Sequence, residues 1–366
     1  MRTTVAVVNG QGQDFSIEEV ELDGPRADEV LVRIVAAGLC HTDITLRSFL
    51  PEEMFPNVFG HEGAGVVEQV GADVSGIAVG DHVLLSFRSC RGCAPCRAGR
   101  VGYCESHLML NYMGMRLDGS TTYRRDGQPV FGSFFGQSSF SRHAIASADN
   151  CVVVDKDVDL CLAAPYGCGF QTGAGTVLNV LRPGPEDSLV VYGAGAVGLA
   201  AVMAAATTEV ATVVAVDLQP GRLQIAQKHG ALTVDATGLD GAAVVEAVKG
   251  LTGGGASFAI DTTAVPAVVK QAQQSLAPRG TLVALGLGAE EYTLDAIDLL
   301  QNGKRVMGSI EGDSDPQEMV PRLLRLAAEG RFPVAELVRS YPFTEIRTAV
   351  ADVLAGAVIK PVLLWD

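Results

Sequence analysis

Ser188-Leu-Val-Val-Tyr-Gly193-Ala-Gly195-Ala-Val-Gly198 decides the fold of half the chain. The apolar run at 188–192 reads as a strand buried on both faces, the glycines as a turn, and 196 to about 207 as an Ala-rich helix. A second apolar run, Ala211-Thr-Val-Val-Ala-Val-Asp217, ends in a carboxylate nineteen residues past Gly198. G-x-G-x-x-G alone is a weak signal. Between a strand and a helix, with an acid at that distance, it reads as a dinucleotide-binding turn. The glycines let the backbone approach a pyrophosphate whose charge is met by the helix N-terminus. Asp217 would accept from the adenosine ribose hydroxyls and repel a 2′-phosphate, which favours NAD over NADP. Arg222 would lie along the ribose or in solvent.

The alternation continues with helices at 222–229, 242–251 and 265–276 and strands at 233–235, 257–261 and 280–286. It predicts an α/β fold with a doubly wound parallel sheet of Rossmann type over 156–299. Residues 1–155 look β-rich, with runs such as Phe15-Ser-Ile-Glu-Glu-Val-Glu-Leu and Glu29-Val-Leu-Val-Arg-Ile-Val-Ala between turns. Residues 300–366 are too few for a third domain and are expected to return to the first. The polar stretch 105–132 reads as a solvated loop. A chain of 366 residues has room for two such cores.

Cys90, Cys93, Cys96 and Cys104 place four thiols in fifteen residues as C-x2-C-x2-C-x7-C, the pattern of a closed tetrahedral zinc site. The alternative is a pair of disulfides. Net charge of -15 argues against nucleic acid and anionic membranes as partners. With no signal-peptide pattern at 1–9 and no apolar run that spans a bilayer, the expectation is a soluble, cytoplasmic protein whose cysteines serve metal or catalysis. Cys151 and Cys161 are left as small buried hydrophobes.

Other chemistry-bearing residues are scattered. Cys40-His41-Thr42-Asp43 follows the third predicted strand, His61 and Glu62 stand between Gly60 and Gly63, and Cys168 sits where a helix starts and a thiolate is favoured. Ser133-Phe134-Phe135-Gly136-Gln-Ser-Ser-Phe140 is an aromatic cluster that reads equally as core or as substrate wall.

Taken together, Gly60-His61-Glu62-x-x-Gly65, Cys40-x-Thr42-Asp43, the Cys90–Cys104 thiols, Gly-Cys168-Gly and Gly193-x-Gly195-x-x-Gly198 resemble the zinc-dependent medium-chain alcohol dehydrogenases. Phe135-Gly-Gln-Ser-Ser-Phe140 and Gly167-Cys-Gly-Phe-Gln-Thr-Gly-Ala-Gly175 look most like the aryl-alcohol (benzyl alcohol) and geraniol branch. The resemblance implies a GroES-like catalytic domain over 1–155 and 300–366, and two zincs per chain. Cys40, His61 and Cys168 would hold the catalytic zinc, with Glu62 as an occasional inner ligand or a neighbour of the ligands. The Cys90–Cys104 lobe would hold a structural one. Asp43 would accept from the His61 ring, and Thr42 would hydrogen-bond the substrate oxygen. Thr172 and Val197 would lie against the nicotinamide. His41 and Lys360 would face the cofactor pyrophosphate, and Phe49, Phe87, Phe134, Phe135 and Leu287 match pocket walls.

Relatives often carry a relay His five residues after the first zinc Cys; here Thr45 stands there, so the expected proton route runs through hydroxyl, ribose and water with His41 as a catalytic candidate. The implied reaction is reversible oxidation of a primary aromatic or allylic alcohol with hydride transfer to NAD, in a homodimer or homotetramer. The rival enzyme reading is a thiol-dependent formaldehyde dehydrogenase, served by Arg47, Arg88, Arg124 and Arg125. A non-catalytic dinucleotide-binding regulator is the reading from another class, and seven candidate ligands count against it.

Overall fold

A computed structural model describes residues 1–365. It divides into two compact units, one formed by 1–168, 315–324 and the chain from 335, the other by 169–314 and 325–334.

In the second unit six strands run parallel in the order Leu232–Asp235, Thr212–Asp217, Ser188–Tyr192, Ala256–Asp261, Leu276–Ala284 and Arg305–Gly308. This is a doubly wound sheet whose direction of growth reverses beside Ser188–Tyr192. All five residues of that strand are buried, so after Ser188 its sequence runs apolar through Leu189–Tyr192 instead of alternating. Gly193 turns the chain with φ 90°. A Cβ at Gly198 would strike the Gly193 carbonyl, so the helix Ala196–Ala205 packs this closely only with glycine there.

The expected boundaries of this domain shift at both ends. Arg305–Gly308 adds the sixth parallel strand, so the unit runs past 299. Residues 156–168 stay with the first unit, where the Ser86 hydroxyl donates to the Gly167 carbonyl and ties that turn to the β-rich sheets.

The first unit holds two sheets. Five strands lie in the order Asn57–Val58, Arg2–Val8, Ser16–Leu22, Tyr123–Arg125 and Gln128–Val130. The larger sheet runs Cys151–Val154, His82–Leu85, Glu62–Val70, Glu29–Gly38, Lys360–Leu364 and Val338–Pro342, with His143–Ser147 also on Glu29–Gly38. Inward residues of both, among them Val5, Leu31, Ile34 and Val67, meet in one core. Phe15 packs edge-on to Phe59 and Phe140 within it. Lys360–Leu364 brings the C-terminal segment back, antiparallel to Glu29–Gly38.

The stretch 105–132 is not the solvated loop its polarity suggested. It contains the helix His107–Asn111 and a hairpin that joins the five-stranded sheet. Two polar groups turn it inward. Arg116 grips the buried Glu29 carboxylate at 2.6 and 2.8 Å, and the fully buried Tyr123 donates its hydroxyl to the His143 carbonyl at 3.0 Å. Among the described residues no helix is long and apolar enough to cross a membrane.

Candidate metal centres and dinucleotide turn

The helix His41–Phe49 opens at Cys40, and Asp43 closes its first turn by accepting from the Cys40 N–H at 3.0 Å. The other oxygen of that carboxylate accepts from Gly60 N–H at 3.0 Å and from His61 Nδ1 at 2.8 Å. One buried side chain therefore caps a helix, fixes the turn before Glu62–Val70 and sets the tautomer of His61. The His61 Nε2 atom is left buried with no hydrogen-bond partner.

Atoms of Cys40, His61, Glu62 and Cys168 that can ligate a metal lie within 4.8 Å of one another. The chemistry of the set fits zinc: soft thiols, an imidazole whose second nitrogen is held by a carboxylate, and an orphaned Nε2 among them. A hydrogen bond with Cys168 holds the Cys40 thiol well below its usual range, against the effect of burial and with help from the Lys360 charge. Burial opposes protonation of His61, yet the Asp43 charge outweighs it and raises the ring well above its usual value.

Lys360, expected at a pyrophosphate, is bonded within its own unit to Glu62. Its ammonium is buried and donates to both Glu62 oxygens at 2.9 and 3.0 Å. Burial alone would strip its proton, but Glu62 reverses this and keeps the group cationic. The strand Lys360–Leu364 sits beside Glu29–Gly38, which also pairs with Glu62–Val70, and sheet register is what brings the two charges together. Glu62 is thereby anchored beside the thiols. His41 is exposed at the first helical position, and Thr42 holds its hydroxyl 3.6 Å from Cys40 Sγ.

Phe134 and Phe135 pack on the His61 ring, with centroids at 5.7 and 4.5 Å. Tyr112 extends this wall, edge-on to Phe135 at 5.3 Å, and His107 follows at 5.8 Å from Tyr112 and 6.3 Å from Phe87. Phe49 is not part of it; 61% exposed, it ends its helix pointing to solvent within this unit. Three residues went unread in the sequence: Tyr112, His107 and Gln137. Gln137 is fully buried and brackets the metal-ligand strand, accepting from Gly63 N–H and donating to the His61 and Ser86 carbonyls. Its signal was its place in the turn between Phe135 and Phe140.

The four thiols of Cys90, Cys93, Cys96 and Cys104 form a second cluster, also within 4.8 Å. Cys90–Cys96 and Cys93–Cys104 sulfurs are 4.0 Å apart, close to the roughly 3.8 Å edge of a tetrahedron with Zn–S of about 2.3 Å. None of the eight cysteines is in a disulfide. Backbone N–H groups of Glu105 and Cys96 draw the Cys93 thiol down to about 6, while burial pushes Cys96 up to about 12. Arg91 within the lobe is ion-paired with Asp315. Cys151 is a buried thiol whose Sγ meets the Ser147 carbonyl, and Cys161 is half-buried.

In the second unit Asp217 ends its strand beside the glycine turn, accepting from Ala194 N–H at 2.6 Å and Gln219 N–H at 2.8 Å. Arg222 is half-buried in the helix Pro220–Lys228. Gly195 has open space where its Cβ would be, so backbone is presented there without a side chain, as a pyrophosphate cradle needs. Gly173 stands on the Val197 carbonyl, which puts Thr172 next to that helix. Leu287 is 55% exposed. Zinc and NAD are the cofactors these donor sets and this turn fit.

Comparison with known proteins agrees. Residues 26–156 match the alcohol dehydrogenase GroES-like domain and 196–329 the zinc-binding dehydrogenase domain. Geraniol dehydrogenase from Castellaniella defragrans is 40% identical over 98% of this chain and 97% of its own. An alcohol dehydrogenase zinc-binding domain protein from Burkholderia ambifaria is 43% identical, with TM-score 0.94 over 100% of this chain and 99% of its own. Benzyl alcohol dehydrogenase from Acinetobacter calcoaceticus is 37% identical, with TM-score 0.95 over all of both chains. With both domain models matched and two thiol-rich donor sets folded, the chain belongs to the zinc-dependent medium-chain alcohol dehydrogenases.

Proposed function

We propose that this protein oxidises primary aromatic or allylic alcohols to aldehydes, reversibly, with hydride transfer to NAD in preference to NADP. The aromatic wall carried by Phe134, Phe135 and Tyr112 around His61 supports this reading most. Flat apolar alcohols gain affinity by burying area against rings, and of these three Tyr112 keeps surface to offer, while Phe134 and Phe135 are buried behind it in the core. The geraniol and benzyl alcohol dehydrogenases it is similar to are named for alcohols of this kind.

Cys40, His61 and Cys168 would hold the catalytic zinc, which when bound supplies Lewis-acid chemistry that lowers the pKa of an alcohol. Asp43 keeps the proton on His61 Nδ1, so Nε2 stays available as a donor atom. The Lys360–Glu62 pair balances charge beside the thiolates. Thr42, whose hydroxyl lies 3.6 Å from Cys40 Sγ, would hydrogen-bond the substrate oxygen and pass its proton outward, through ribose and water with His41. Asp217 selects the cofactor through the ribose hydroxyls.

Formaldehyde chemistry on a thiol carrier would need cationic groups to meet the carrier's charge. Arg47, Arg88 and Arg125 are already ion-paired with Asp14, Asp28 and Glu18, which weakens that reading. We also propose a cytoplasmic homodimer or homotetramer. Eight cysteines outside any disulfide suit a reducing compartment, and Arg305–Gly308 leaves four exposed residues at the sheet edge, with Ile297 and Leu300 also exposed.

Turnover of benzyl alcohol, geraniol, ethanol and S-hydroxymethylglutathione with NAD and NADP tests the proposal. The first two with NAD should give the highest kcat/KM; preference for ethanol or the thiol adduct would overturn it.

A further inference from the structure

We infer that Gln137 and Ser86 are positioning residues for the Cys40–His61–Cys168 site: a hydrogen-bonded chain through their side chains fixes the spacing between the backbone at His61 and the backbone at Cys168. The inference rests on the reading of that trio as zinc ligands, and all its observations lie within the first unit.

Gln137 Nε2 donates to the His61 carbonyl at 2.9 Å and to the Ser86 carbonyl at 3.1 Å, while its Oε1 accepts from Gly63 N–H at 3.0 Å. The Ser86 hydroxyl then donates to the carbonyl of Gly167, the residue before Cys168. Both side chains are fully buried, and the Gln137 amide spends both its hydrogens and its oxygen on backbone, so only one orientation satisfies all its partners. Close approach is built in at either end. A Cβ on Gly63 would lie 2.9 Å from Gln137 Oε1, and one on Gly167 would lie 2.1 Å from the carbonyl oxygen of Leu85, next to Ser86. Glycine at both places lets the backbone come within reach of the chain.

The turn that delivers Gln137 is strained. Phe135, Gly136 and Ser138 have φ of 51°, 66° and 53°, and two of the three carry side chains that disfavour this region. Such a turn persists only where its surroundings hold it. Asn150 Nδ2 donates to the Phe135 carbonyl at 2.9 Å and to the Ser86 carbonyl at 3.1 Å, and Ser138 Oγ donates to the Val58 carbonyl at 2.6 Å. The strain has a use if the metal site depends on it. Zinc asks for nitrogen at about 2.0–2.1 Å and sulfur at about 2.3 Å, with a tolerance of about 0.2 Å. Asp43 sets the tilt of the His61 ring and caps the helix at Cys40, whereas Gln137 and Ser86 hold the two backbone segments that carry His61 and Cys168. Without the chain the donors remain but their spacing relaxes, and a site that must be reassembled on binding loses affinity.

Zinc dissociation constants of both sites, read by competition with a chelator in the parent, Gln137→Met, Ser86→Ala and the double variant, test this. The Cys90–Cys104 lobe is the internal control, its binding step identified in Cys40→Ser protein. Gln137→Met should weaken zinc at the Cys40–His61–Cys168 site about 10–100-fold and Ser86→Ala about tenfold, with the lobe within about twofold of the parent. Because the links act in series, the double variant should lose little more than Gln137→Met alone. Cobalt bound at the trio should show d–d bands shifted from the parent's, a change that general loss of stability does not produce. Equal losses at both sites, no loss at the trio, unshifted cobalt bands, or single losses that multiply in the double variant would overturn the inference. If Gln137→Met does not fold, Ser86→Ala decides by the affinities of the two sites and the cobalt bands. A parent that binds zinc only at the lobe refutes the reading of the trio as ligands; one that binds two, with affinities unmoved by either variant, refutes only the chain through Gln137 and Ser86.

Discussion

Replacing Lys360 with Met breaks a buried ion pair of the first unit. Its ammonium is 2% exposed and holds two charge-assisted bonds to Glu62, itself fully buried. Removing the cation leaves a carboxylate in a dry site beside the Cys40 thiol. Breaking a buried pair in this way costs about 3–5 kcal/mol, most of it the desolvation of the abandoned charge. For a unit of roughly 200 residues each kcal/mol moves Tm by about 2–4 °C, so the variant should melt about 6–20 °C below the parent. Glu62→Gln/Lys360→Met removes the charge as well as its partner and should recover at least half the loss. The assay is thermal unfolding of zinc-loaded protein at matched scan rates and neutral pH. A Lys360→Met protein within 2 °C of the parent, or a double variant no more stable than the single, would refute the reasoning.

Asp43→Asn should weaken zinc at the Cys40 cluster about 10–100-fold, because it loosens the His61 tautomer; competition with a chelator reads this directly. Arg116→Met should destabilise the protein in a pH-dependent way. Burial would raise the Glu29 carboxyl, but the Arg116 bonds and charge outweigh it and hold it below its usual 4.5. A carboxyl depressed in the folded state contributes fully above its unfolded pKa and loses its contribution as pH falls through the folded one. The gap between Arg116→Met and the parent should therefore be widest at neutral pH and narrow below about pH 4.5, as urea melts at several pH values would show. Asp217→Ser should erase most of the discrimination against NADP, measured as the ratio of kcat/KM values. Cys93→Ser should lower the yield of folded protein, since the lobe's metal contributes folding energy; equal yields would place the lobe outside the folding problem.

Legibility followed the range of the interactions. The parallel sheet could be read because each strand, turn and cap is local: Leu189–Tyr192 is continuously apolar, Gly193 turns, and Asp217 ends the next strand. The Cys90–Cys104 lobe was readable for the same reason. Cys40, His61 and Cys168 lie far apart in sequence, and no spacing rule joins them; only resemblance did, and the fold assembles them through the Asp43 carboxylate and sheet register. The Lys360–Glu62 pair went unread because the two residues stand 298 apart and are joined only by strand pairing. The 105–132 stretch misled because polarity signals solvent unless the partner is known, and Glu29 cannot be seen from Arg116 in sequence. Domain edges failed by the same logic, since Arg305–Gly308 joins the sheet through a long-range pairing with Leu276–Ala284.

The central claim is that Cys40, His61 and Cys168 form the catalytic zinc site while the Cys90–Cys104 lobe is structural. Zinc content and benzyl alcohol turnover of parent and Cys40→Ser protein test it most directly. The account predicts two zincs and full activity in the parent, and one zinc with turnover lost but folding retained in the variant. An active parent with fewer than two zincs, or a Cys40→Ser protein that keeps its turnover, would contradict it.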